Sequence, residues 1–276
     1  MREGATGIAA PAAAGTGSAL VRVDHVQLGY WVGNRFHVAV GNASFDVQPR
    51  EKMIVIGPSG CGKSTLLKAI AGFISPVGGT ISVSGRRTLE PGPDRAVVFQ
   101  EFDQLLPWRT VLDNVAYPLR VNGRSRRAAA ATAREFLELT HLGRAAERFP
   151  HQLSGGMKQR VAIARALALD PTVLLMDEPF GSLDAITRQR LQVELNRIVA
   201  QTNVTLMFVT HSIEEALVLG DRVVVLGNAP STVLELVDVR ELGGPETVEY
   251  SQMRGRLRSL LAVDQEEEVE NLGGVD

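Results

Sequence analysis

Gly57-Pro58-Ser59-Gly60-Cys61-Gly62-Lys63-Ser64-Thr65 decides the fold of this chain; it reads G-x-x-x-x-G-K-S-T. Before it, Met53-Ile54-Val55-Ile56 is apolar and largely β-branched, as a buried strand requires. After it, Leu66-Leu67-Lys68-Ala69-Ile70-Ala71 favours a helix. Strand, glycine-rich turn and helix, in that order, are the context in which such a stretch works as a phosphate loop. The glycines let backbone N–H groups turn inward around an anion with no Cβ in the way. The helix beginning near Lys63 points its positive dipole end at the same spot. Lys63 adds a full charge for the β- and γ-phosphates of a nucleotide, and the Ser64 hydroxyl is a natural magnesium ligand. Cys61 is either a catalytic thiol or, on the plainer reading, a small residue tolerated in a tight turn.

Working outward, the totals exclude several classes. The 276 residues make one large domain or two small ones, enough to bury a core. A net charge of −2 argues against nucleic acid or an acidic membrane surface as partner. No apolar run approaches the ~20 residues that span a bilayer, so the chain is not expected to cross a membrane. With Cys61 as the one cysteine no intrachain disulfide forms, which fits a reducing compartment. Residues 1–19 are Ala/Gly/Thr-rich without the apolar core of a secretory signal, and are expected to be a disordered lead.

Along the chain, residues 20–28 alternate apolar and polar as a half-buried strand, and 38–47 read as a second, with Gly41-Asn42 as a bulge or turn. Between them the stretch 29–36 reads as a loop. There Tyr30, with Trp31 and Phe36 as rivals, either stacks on an adenine or packs beneath the loop; stacking is worth ~1–3 kcal/mol per base. Residues 80–83 form a short strand, 84–87 a turn, and 96–99 a strand ending at Gln100. Residues 101–169 read as helical, with helices beginning near residue 110, after Ser125 and after Ser154. Arg124, Arg126 and Arg127 form either an anion site or, preferred, a solvated helix start. Apolar strands return at 173–176, before Asp177-Glu178-Pro179, and at 205–209, before Thr210-His211, with a helix over about 184–201 between them. Strands follow at 222–226 and 232–239, then a helix over 248–261 and an acidic tail expected to be disordered. Strands alternating with helices imply a mostly parallel sheet with a helical lobe beside it.

Two further constellations narrow the chemistry. Asp177 ends an apolar strand, so it should lie beside the phosphate loop and hold magnesium directly or through water. Glu178 can polarise an attacking water as general base. Gln100 suits magnesium or the lytic water, and His211 the γ-phosphate. The second is Leu153-Ser154-Gly155-Gly156-Met157-Lys158-Gln159-Arg160. Ser154, Gly155 and Gly156 start a helix and make an anion site for the same dipole and bare-backbone reasons. That helix belongs to the lobe and not to the crevice beside Lys63. The economical reading is two copies facing head to tail, each Ser154 capping the γ-phosphate held by the other copy's Lys63.

Over about residues 20–226 these elements resemble the ATP-binding subunit of ABC transporters. Gly57 to Thr65 resembles the Walker A loop, Gln100 the Q-loop, Leu153 to Gly156 the signature, and residues 173–177 the Walker B strand. Glu178 resembles the catalytic glutamate, Ser182-Leu183-Asp184 the D-loop, His211 the switch histidine and Tyr30 the adenine-stacking aromatic. Met157 stands where many family members have Gln. The resemblance implies an α/β P-loop NTPase fold with an antiparallel N-terminal β subdomain and an inserted helical subdomain at about 101–169. It implies an ATPase domain over 20–240, then a C-terminal helix and acidic tail over 241–276. ATP and Mg2+ are the implied cofactors. Magnesium ligands are Ser64, Gln100 and Asp177; nucleotide contacts come from Tyr30, residues 57–65, Ser154, Gly155, Gly156 and Asp184; Glu178, His211 and Gln100 are catalytic.

Residues 104–115 and 176–185 further resemble the importers for nitrate, sulfonate, taurine and bicarbonate. In that family the first of these stretches receives a coupling helix of the membrane subunit. Leu106, Pro107 and Trp108 would form its apolar socket, the alternative being that Trp108 packs internally. No long regulatory β domain like that of sugar importers is expected after the core. The implied partners are a second ATPase subunit, two transmembrane permeases and, indirectly, a periplasmic or lipoprotein solute-binding protein, at the cytoplasmic face of the inner membrane and without nucleic acid. A lipid-trafficking or efflux ATPase shares all of the ATP chemistry. A soluble ABC ATPase is disfavoured by the absence of paired cores, coiled-coil inserts or a basic stripe, and a phosphotransferase leaves Ser154 to Gly156 unexplained.

Overall fold

The computed structural model describes residues 19–87, 90–100 and 104–272, with side chains to residue 262. Ala19 excepted, the expected N-terminal lead lies outside the described residues. In chain order the strands and helices are β1 (Val21–Val32), β2 (Arg35–Val47), β3 (Lys52–Ile56), α1 (Lys63–Ala71), β4 (Gly78–Val83), β5 (Arg86–Arg87) and β6 (Arg95–Val98). Then come α2 (Val111–Val121), α3 (Arg126–Leu139), α4 (Gly155–Leu167), β7 (Val173–Asp177) and α5 (Ala185–Thr202). The chain continues through β8 (Thr205–Val209), α6 (Ile213–Leu219), β9 (Arg222–Leu226), β10 (Ser231–Asp238) and α7 (Val248–Leu272).

All the described strands join one sheet in the order β5-β4-β1-β2-β10-β9-β3-β8-β7-β6. From β9 to β6 the neighbours run parallel. β1 lies antiparallel to β2 and β4, and β10, antiparallel to β9, joins the halves by pairing in parallel with β2. Parallel strands covered on both faces need apolar side chains in unbroken runs, which is what β3, β7 and β8 carry.

The two-residue period of those strands sorts the core. Ile54, Ile56, Leu174, Met176, Leu206 and Phe208 point to one face, where they meet Val161, Ile163 and Leu167 of α4 and the apolar sides of α2, α3 and α5. Met53, Val55, Val173, Leu175, Met207 and Val209 point to the other, against Leu66, Leu67 and Ile70 of α1. Burying each such side chain fully is worth about 1.5–3 kcal/mol. A register slip of one residue would exchange the faces. Helices α1 and α4 therefore lie on opposite sides of the parallel sheet.

Caps fix where the helices begin. Thr110, Ser125, Ser154, Asp184 and Ser212 each accept a first-turn N–H from α2 to α6 in turn. α1 differs: its cap, Gly62, sits at φ 96° with no side-chain bond.

Several local expectations need correction. Residues 29–36 are no loop; β1 continues through Tyr30 and Trp31 to Val32, turns at Gly33-Asn34 and returns as β2. Register shifts in β1 blur the alternation that would have revealed it. Arg86–Arg87 is a short strand paired with β4. β6 ends at Val98, because the Gln104 side chain takes over both backbone groups of Phe99. α7 runs on to Leu272, so the described part of the acidic tail is helical. Residues 264–272 contain neither Gly nor Pro to break the helix.

Candidate active site

β3 delivers the chain into the loop of residues 57–62. A Cβ on Gly57 would stand 2.7 Å from Cys61 Sγ and 2.8 Å from the Leu226 carbonyl oxygen, so only glycine lets the loop close against β9. Gly60 and Gly62 sit at φ 82° and 96°, the left-handed region that turns successive N–H groups inward. Cys61 is buried in this wall. Pro58 is half-buried, Ser59 and Gly60 are exposed, and Thr65 is half-buried in the first turn of α1.

Lys63 is 5% exposed, and its ammonium donates to the carbonyls of Gly57 at 3.0 Å and Pro58 at 2.7 Å. A buried charge whose hydrogen bonds go to carbonyl dipoles favours an anion beside it. Next to it, the Ser64 hydroxyl donates to Asp177 Oδ1 at 2.7 Å. Burial pushes the Asp177 carboxyl above the usual carboxylate range, against the Ser64 hydrogen bond and the Lys68 and Lys63 charges that lower it.

Glu178 follows Asp177 with a backbone φ of 42°, left-handed for a residue with a Cβ. Its N–H donates to Val209 O at 3.0 Å and its carbonyl accepts from Gly181 N–H at 3.1 Å, which holds this strained turn. Its carboxylate accepts from His211 Nδ1 at 2.9 Å across the ends of β7 and β8. Gln100 is exposed, with its amide facing the 178–184 loop; a Cβ on Gly181 would lie 3.1 Å from Gln100 Nε2. Lys63, Ser64, Asp177, Glu178, His211 and Gln100 are thus grouped at the C-terminal ends of the parallel strands, where α/β sheets bind ligands.

Ser154, Gly155 and Gly156 stand apart from this group, at the start of α4 on the other face of the sheet. Ser154 is exposed and its hydroxyl accepts from Met157 N–H at 3.4 Å. A Cβ on Gly156 would lie 2.8 Å from Thr187 Cγ2, so glycine there brings α4 against the first turn of α5. Asp184 caps that helix by accepting from Thr187 N–H at 3.0 Å; this and its neighbouring N–H contacts hold its carboxyl below the usual range. Tyr30 is half-exposed on β1, its ring stacked on His37 at 6.0 Å, while Ala39 and Val40 of β2 touch Gly62.

Two polar clusters make bonds that the sequence did not announce. Asn114 is fully buried; it accepts from Leu106 N–H at 2.8 Å and donates to the carbonyls of Leu106, Arg109 and Thr110. It thereby fixes the loop that carries Trp108, which is 71% exposed and so not packed internally. The other is Thr210, Glu215 and Gln192 behind His211. Ser212-Ile213-Glu214-Glu215 has capping-box spacing, the one sequence signal that pointed there.

Comparison with known proteins agrees with this geometry. The family model described as ABC transporter matches residues 40–181. The taurine import ATP-binding protein TauB of Rhizobium johnstonii is 44% identical over 254 residues, covering 88% of this chain and 96% of its own. The nitrate import ATP-binding protein NrtC of Synechococcus elongatus is 45% identical over 88% of this chain, which spans only 38% of that longer protein. A dimeric structure of MJ0796, an ATP-binding cassette in a post-hydrolysis state bound to ADP and Pi, superposes with a TM-score of 0.70 at 32% identity, covering 80% of this chain and all of that one.

Proposed function

We infer, from the premise that this chain belongs to the ABC transporter family, that it is the ATP-hydrolysing subunit of an importer for a small solute of the nitrate, sulfonate, taurine or bicarbonate kind. The observation that carries the reading is the placement of two anion-binding helix starts on opposite faces of one sheet. One phosphate chain cannot meet both within a single copy. Two copies arranged head to tail bring each Ser154 to the other's Lys63, and the dimeric state of the cassette to which this chain is similar supports pairing of two copies.

In this reading the residues divide the work. The N–H groups of residues 57–65 cradle the phosphates of ATP, and Lys63 exchanges its two carbonyls for phosphate oxygens. Ser64 and Asp177, with Gln100, would hold magnesium. Hard oxygen ligands, few in number and already 2.7 Å apart, fit an ion that shares its coordination with phosphates and water. When bound, the ion neutralises charge building on the phosphates. Glu178 takes the proton from the attacking water, and His211 orients that carboxylate and reaches towards the γ-phosphate. Tyr30 stacks on the adenine. Asp184, at the start of α5, faces the partner copy. ATP closes the pair, and hydrolysis releases it.

No helix among the described residues is long and apolar enough to cross a membrane. Force must then pass to separate permease subunits, and the exposed Trp108 beside Leu106 and Pro107 gives a coupling helix an apolar socket. The site of action is the cytoplasmic face of the inner membrane, with a solute-binding protein acting through the permeases. The test is to co-purify the chain with its permeases and add candidate binding proteins loaded with nitrate, taurine, a sulfonate or bicarbonate. Stimulated ATP hydrolysis by one of them supports the reading; association with an exporter-type permease, indifferent to every binding protein, overturns it.

A further inference from the structure

We propose that Glu215 is a positioning residue for His211, clamping the backbone on both sides of the histidine and tying it to helix α5. The proposal rests on the ATPase reading above and concerns how its catalytic pair is held. The His211 side chain is 62% exposed, so packing does little to fix its ring. Among the described residues its side chain bonds to Glu178, the group it must orient. What holds it has to come from the backbone, and both flanking residues lead to Glu215. The Thr210 hydroxyl donates to Glu215 Oε2 and accepts from Ser212 N–H at 3.0 Å. The Ser212 hydroxyl in turn accepts from Glu215 N–H at 3.2 Å.

The clamp is anchored in the sheet and in a second helix. Thr210 is 1% exposed and its N–H donates to Val55 O at 3.1 Å, on the strand that feeds the phosphate loop. Glu215 is itself buried, and its other oxygen accepts from Gln192 Nε2 at 3.1 Å. Gln192 lies on α5, whose first residue follows Asp184. A rigid helix thus runs from the proposed partner-facing loop to the carboxylate that sets the histidine. A displacement of α5 would move Glu215 and so open or close the His211–Glu178 bond.

The experiment is a double-mutant cycle on ATP turnover in the full chain with its permeases. Glu215→Ala is expected to lower kcat about tenfold while KM for ATP stays within about twofold, because positioning is lost and binding is not. Glu215→Gln should recover most of the rate: its carbonyl oxygen still accepts from Thr210, and the Gln192 amide can flip to meet its NH2. In a His211→Ala background, Glu215→Ala should cost almost nothing more. Equal losses in both backgrounds would overturn the proposal, as would a Gln variant no better than Ala, or a rise in KM at constant kcat. If Glu215→Ala does not fold, Gln192→Ala releases only one oxygen of the clamp. A smaller kcat loss that vanishes in the His211→Ala background then supports the proposal, and one that persists there overturns it. No ATP turnover in the unmutated complex would sink the functional reading itself; normal turnover with additive losses sinks only the clamp.

Discussion

Two helices in this molecule begin at glycine-flanked turns able to bind an anion, and they are built differently. The start of α1 is enclosed: Gly62 leaves its N–H groups uncapped, Lys63 supplies a buried cation, and Ser64 and Asp177 supply metal ligands beside it. The start of α4 is open: Ser154 is exposed and its hydroxyl caps its own helix. On the proposed reading the enclosed site holds the nucleotide and the open one completes the site of a second copy. That division of labour would make dependence on a second copy a property of the fold, and four substitutions test it.

The largest effect is expected from Glu178→Gln. Losing the general base should slow phosphate release by about 10²–10⁴-fold with ATP affinity retained. Because ATP then persists, the two kinds of helix start should stay joined, and size-exclusion chromatography with ATP should show a stable dimer. Turnover near the unmutated rate would remove Glu178 from its role. Next, Lys63→Ala removes the cation of the enclosed site and should weaken binding of a fluorescent ATP analogue by about 10–150-fold, the worth of a charge-assisted contact. Unchanged affinity would mean that the enclosed site is not where the phosphates lie.

Ser154→Ala tests the open site. Turnover should fall about tenfold, within the range of one lost hydrogen bond to a charged group, while the affinity of a single chain for nucleotide stays the same. Weakened binding in a monomeric preparation would break the comparison, since it would bring both helix starts to one nucleotide in one copy. The smallest effect concerns stability. Burial holds the Asp177 carboxyl above its usual range, so the folded nucleotide-free chain keeps that proton more tightly than the unfolded chain does. Its stabilising contribution is present at acid pH and lost as pH rises from the unfolded value through the folded one. Asp177→Asn should therefore raise the neutral-pH melting temperature of the nucleotide-free chain by a few degrees, at roughly 2–4 °C per kcal/mol. A fall at pH 7 would show that the carboxylate is better accommodated than its burial implies.

How far the sequence could be read follows from where each signal resides. β3, β7 and β8 carry unbroken apolar runs next to Lys63, Asp177 and His211, so strand and chemistry announce each other locally. Ser125, Ser154 and Asp184 were readable because a cap needs only its own first turn. The β1–β2 hairpin was not: Gly29 and Gly33 suggest a loop, and the register shifts destroy the alternation. The end of β6 was misjudged because Gln104, five residues away, supplies the bonds that the sheet would otherwise make. The link from Glu215 to Gln192 joins residues 23 positions apart on separate helices, and no local pattern encodes that meeting. What escaped notice was set by tertiary neighbours and not by propensity.

The turn at Glu178 has a consequence for anyone engineering the molecule. A side chain held at a backbone angle that suits glycine carries a conformational penalty of order 1–3 kcal/mol. Glu178→Gly would relieve it, so directed evolution scored on heat resistance alone would be drawn to the position proposed here as the general base. Durability and catalysis compete there for a single codon, and a screen that rewards only the first would yield a robust but idle protein.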